Sequence, residues 1–167
     1  MSARPSKRVA LRLHALLDSG LVEAREIAAW AEFRLAGSDD PDPLLREIAG
    51  LVEAKALARR LRDHAFAPSL EEFDWREVDD EHLAALLLRH RRLELTWAEF
   101  LNRAGLCADA ANREWAREEL DAMLTAIENA RFPDRLAKRQ RRELEERLES
   151  ATARIRPLFE SLRRPPA

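Results

Sequence analysis

The sequence predicts an all-α fold: a single-domain antiparallel helical bundle of about six to eight helices, closed by a long C-terminal helical hairpin. Three observations predict it. Apolar residues recur at spacings of three and four rather than two. The chain holds four glycines, Gly20, Gly37, Gly50 and Gly105, and each stands where such a pattern pauses. Glycine tolerates the left-handed conformation common at helix ends. No β-branched residues alternate with polar ones over a sustained run, so no strand is expected.

The first helix should span Ser6 to Asp18, with Val9, Leu13, Leu16 and Leu17 on one face and Ser6 as its cap. Gly20 ends it, and the short Ser19-Gly20-Leu21 link implies a hairpin with a second helix from Val22 to Ala36. Ile27, Trp30, Ala31 and Leu35 form the inward face of that helix. After a turn-rich loop, Asp42 caps and Pro43 opens a helix that should run to Ala65, bent at Gly50 and closed by Pro68. Ser69-Leu70-Glu71-Glu72 has capping-box spacing and should start a short helix ending near Arg76. Asp79 or Asp80 then caps a helix through Arg92. Thr96-Trp97-Ala98-Glu99 is a second capping box, opening a short helix that Gly105 should terminate. A long helix from Asp109 to Arg131 follows, then the break Phe132-Pro133-Asp134. The last helix should run from Asp134 to Leu162, with 163–167 as a frayed tail. A weak subdivision near Ala67-Pro68 would leave two thin cores, so one domain over 1–167 is favoured.

Composition narrows the function classes. The chain has 167 residues, 36% of them charged, and a formal net charge of −2. A chain of this length buries enough surface to fold without metal or disulfide staples. Its longest apolar run, Leu83–Leu88, is far shorter than the roughly 20 residues of a membrane span. Cys107 is the only cysteine, which suits a reducing compartment. The basic start is followed by a helix carrying Arg12 and His14, so it lacks the apolar stretch of a signal peptide. A cytoplasmic protein is expected, and the arginine and alanine bias suggests a bacterial one.

Charge is segregated along the chain. Residues 71–81 carry seven acidic groups against Arg76, and residues 135–142 carry five basic groups. In the acidic stretch Phe73 and Trp75 stand among carboxylates. Aromatic anchors ringed by charge are typical of protein-binding hot spots, so Phe73, Asp74, Trp75 and Glu77 are the candidate partner-binding residues. A second candidate is the stripe Leu144, Leu148, Ala151, Ile155, Leu158 and Leu162, whose 3.5-residue period is that of a packed helix seam. Packing back on the helix 109–131, through Trp115, Leu120, Met123, Leu124 and Ile127, would bury it; should a homodimer form through the C-terminal helix instead, Leu144, Leu148, Ile155 and Leu158 are the expected oligomer seam. Pro157 should kink or restart that helix.

The segment 96–116 resembles the helix-turn-helix of DNA-binding regulators. Phe100, Gly105 and Leu106 stand where that motif places an apolar residue, a turn glycine and an apolar residue. Leu101 replaces its small residue and Glu114 its core residue. The would-be recognition helix also carries Glu118, Glu119 and Asp121, which phosphates repel. The basic run 135–142 is followed at once by Glu143, Glu145, Glu146 and Glu149. Pairs Arg141–Glu145 and Arg142–Glu146 should neutralise it, and no aromatic lies within it to stack bases.

Groups for chemistry are sparse. Asp79, His82 and His90 offer no three-ligand spacing for a metal, Cys107 sits at an expected turn, and no two glycines are close enough for a phosphate loop. No cofactor and no metal are therefore expected. The expected function is non-enzymatic protein–protein interaction, as an immunity or antitoxin-type protein or an adaptor with an unknown protein partner. The alternative is a nucleic-acid-binding regulator using 96–116 or 135–142.

Overall fold

A computed structural model describes residues 5–67, 74–110 and 114–163. Those residues form nine α-helices and no strand: α1 (Pro5–Asp18), α2 (Ala24–Ala36), α3 (Pro43–Ile48), α4 (Ala54–Phe66), α5 (Trp75–Arg91), α6 (Trp97–Ala110), α7 (Glu114–Glu128), α8 (Pro133–Arg147) and α9 (Glu149–Arg163). The fold is an all-α helical bundle. Two compact units divide the chain, residues 1–78 with 155–167 and residues 79–154.

In the first unit α1 lies chiefly along α4, α2 along α3, and α3 also touches α1 and α4. The tight turn at Gly20 therefore does not make α2 the main neighbour of α1. That turn has Gly20 at φ 73°, with the Gly20 amide donating to Leu17 O and the Leu21 amide to Leu16 O. This is the doubly bonded left-handed helix ending, and Leu21 and Val22 beyond it are buried. Asp42 caps α3 as expected, its Oδ1 accepting from the Leu44 amide at 2.9 Å ahead of Pro43. The single bent helix expected over 43–65 is instead two. Gly50 takes φ 77°, and Glu53 opens α4 by accepting from the amides of Lys55 and Ala56. Leu57, Leu61 and Ala65 then form a fully buried stripe.

In the second unit α7 packs against α6 and α8. Its contiguous core contains Leu86, Leu87, Leu95, Trp97, Phe100, Leu101, Ala104, Leu120, Leu144 and Leu148. The Trp97 and Phe100 rings stack at 4.7 Å, with the His90 ring edge-on to Trp97 at 5.3 Å. Leu95 O is an acceptor only, so the His90 Nδ1 2.7 Å away carries the proton. Gln140 joins three helices: its Oε1 accepts from Trp97 Nε1, and its Nε2 donates to Met123 O, both at 3.0 Å. Buried polar groups are costly without such partners.

Other expected boundaries move. Gly105 does not end a helix; α6 runs through it to Ala110. An interior glycine costs about 1 kcal/mol against alanine, which burial of Phe100, Leu101 and Ala104 outweighs. A Cβ at 105 would stand 3.3 Å from Oδ1 of the exposed Asp121, whose side chain would have to shift slightly to admit it. Asp79 and Asp80 lie inside α5, and its start is held by Asp74. Pro157 does not restart the last helix: it lies inside α9, and both it and Ala153, whose carbonyl loses its amide partner, are exposed residues. The interruption falls at Leu148, whose backbone (φ −96°, ψ 6°) leaves helical geometry while its side chain is sunk in the core. The capping box at Ser69–Glu72 and the side chain of Trp115 lie outside the described residues.

Candidate functional site

Among the described residues of the acidic aromatic stretch, Asp74, Trp75, Glu77 and Glu81 are engaged within the chain. Asp74 Oδ1 accepts from the Arg76 amide at 2.9 Å, so its carboxylate caps α5. Glu77 is paired with Arg8. Glu81 is buried and accepts from Arg154 Nε at 2.8 Å, while Arg154 Nη1 reaches Ser150 Oγ. Trp75 stacks on Phe66 at 5.7 Å and stays 40% exposed. Phe73 lies outside the described residues.

The expected oligomer seam is covered by the chain itself. Leu144, Leu148 and Ile155 are buried and Leu158 is half-buried. A homodimer along these four would have to displace what already covers them. Of the candidate chemical groups, His82 Nε2 lies 3.5 Å from Cys107 Sγ, whereas His90 is turned into the aromatic stack. The turn required at Ala104–Cys107 by the resemblance to a helix-turn-helix is absent, since that stretch is the middle of α6.

The corner between α7 and α8 is different. Phe132, whose φ of −130° and ψ of 73° place it just outside α8, is 60% exposed. The Arg131 guanidinium stands 5.5 Å and the Arg135 guanidinium 5.7 Å from its ring centre. An aromatic face attracts such cations through its negative quadrupole. Along α8 the inward face is Leu136, Ala137, Gln140 and Leu144, which turns Arg135, Lys138, Arg139 and Arg142 outward on one stripe. Carboxylates neutralise only the far end: Arg142 pairs with Glu146, Glu145 takes Arg91 rather than the expected Arg141, and Arg147 takes Glu119. Among the described residues, no carboxylate pairs with Arg131, Arg135, Lys138 or Arg139.

The result is an aromatic side chain set between two cations at the head of a basic stripe. The basic run is legible in the sequence, whereas Phe132 stands there only as part of a break. The nearest signal was an aromatic directly before a proline that opens a helix, flanked by arginines. No protein family, no curated protein and no solved structure matches the chain.

Proposed function

We propose that the chain is a protein-interaction module, of the immunity, antitoxin or adaptor kind, that acts by binding a macromolecular partner through aromatic side chains framed by charge. The observation that carries this reading is the exposed Phe132 between Arg131 and Arg135. Aromatic residues and arginine are enriched at protein interfaces over the rest of the surface. Trp75, half-exposed against Phe66, is the second such surface. A cytoplasmic bacterial setting is consistent with a lone cysteine that remains a thiol. Among the described residues no helix is long and apolar enough to cross a membrane.

The test is capture of the native partner with tagged full-length chain, using Trp75→Ala and Phe132→Ala separately and together. Circular dichroism establishes that each variant is folded. Loss of capture in a folded variant supports the module; full retention in the double variant removes it.

A further inference from the structure

We infer that the α7–α8 corner is a docking surface for an acidic polypeptide segment, with Phe132 as its apolar anchor. This rests on the interaction-module reading and names the chemistry of one of its surfaces. The argument is charge complementarity. Four cations, Arg131, Arg135, Lys138 and Arg139, stand on the exposed side of one helix and the turn before it, without carboxylate partners among the described residues. The chain as a whole carries a net charge of −2, so this positive patch is local and not part of a generally basic surface.

A guanidinium held over an aromatic face by cation–π attraction keeps N–H donors for a second partner. Two such forks, on Arg131 and Arg135, suit the two-oxygen geometry of carboxylates. Positions 135, 138, 139 and 142 repeat at three, four and seven, the spacing at which carboxylates line one face of a partner helix. The stripe is bounded: Glu143 and Glu146 close it after about two turns of α8. A nucleic acid would carry phosphates past this boundary onto the acidic end of α8, where they are repelled. A short acidic segment fits within it.

The experiment uses the full chain and a labelled helical peptide with glutamates at positions i, i+4 and i+7 beside one leucine. Its glutamine counterpart and an oligothymidylate are the comparison probes. The glutamate peptide should bind, weaken as salt is raised, and outbind the glutamine peptide. Arg135→Glu with Lys138→Glu should lower its affinity about 100-fold, and Phe132→Ala about 10-fold. Arg135→Lys, which keeps the charge but loses the planar fork, should also weaken it. A separate reversal at exposed Arg139 repeats the test should the double reversal fail to fold.

Peptide affinity that is unchanged by these reversals overturns the proposal. Tighter binding of oligothymidylate than of peptide overturns it too, and makes the stripe a phosphate-binding one. If Trp75→Ala abolishes capture of the native partner while the charge reversals leave it intact, the corner assignment falls and the interaction module stands.

Discussion

Leu93 carries two costs at one position. It is 91% exposed and holds φ 61°, a left-handed conformation that L side chains other than asparagine or aspartate rarely adopt. The Leu93 amide donates to His90 O and the Glu94 amide to Arg89 O, the same helix ending that Gly20 makes after α1. Leu93→Gly should therefore stabilise the chain by about 1 kcal/mol, read as a shift in the urea midpoint at unchanged slope. Gln140 behaves in the opposite way. Gln140→Leu would leave the Trp97 indole N–H buried without its acceptor, and should cost about 1–3 kcal/mol in the same measurement. The capping residues Asp42, Thr96 and Glu99 were legible in the sequence because their bonds lie within three residues of one another. The pairing of Glu77 with Arg8, or of Glu81 with Arg154, joins positions 69 and 73 residues apart, which no local pattern encodes.

At the scale of elements, the sequence showed that helices form but not where the chain would tolerate a breaker. Gly50 interrupts because it adopts a positive φ, whereas Gly105 sits inside a packed helix whose burial outweighs its propensity. Pro157 is accommodated on an exposed face, so Pro157→Ala should lengthen the hydrogen-bonded ladder of α9 and raise stability by up to about 3 kcal/mol, measured by thermal or urea unfolding. The start of α6 is a reciprocal box. Glu99 Oε2 accepts from the Thr96 amide at 2.7 Å, and the Glu99 amide donates to Thr96 Oγ1. Hydrogen bonds from the Thr96 amide and hydroxyl hold the Glu99 carboxyl below its ordinary value. The amides of Ala56 and Lys55 do the same for Glu53 at the start of α4. With the folded value depressed, both caps contribute fully above the ordinary carboxylate range and are lost as pH falls through their folded values. Stability should decline on acidification, and Glu99→Gln together with Glu53→Gln should flatten that decline in a series of unfolding curves.

At the scale of the whole molecule, the even balance of charge conceals an uneven state of pairing. Asp74, Glu77 and Glu81 of the acidic stretch are bound into a cap and two ion pairs, while the basic run keeps its first half open to solvent. In the sequence the acidic stretch reads as the partner surface and the basic run as self-neutralising, because pairing is settled by tertiary neighbours that local order does not show. The Leu144–Leu162 stripe needs cover on its apolar pattern alone, and Leu144 and Leu148 find it in one core with Leu120, Met123, Leu124 and Ile127 of α7. The unit spanning residues 79–154 has a contiguous core centred on the fully buried Phe100. Phe100→Ala should cost about 3–5 kcal/mol, with hydrogen-exchange protection falling most at the amides of α6, α7 and α8. The glutamine that links those three helices has one further consequence. Its site offers a donor on one side and an acceptor on the other, so it distinguishes an amide from a carboxylate. In Gln140→Glu only the protonated acid satisfies both neighbours, so the native state resists ionisation at that position. Such a variant should hold its stability in acid and lose it as alkali is added beyond about pH 4, where the unfolded chain gives up the proton first. One isosteric exchange would thus make this core respond to proton concentration in the direction opposite to its own helix caps.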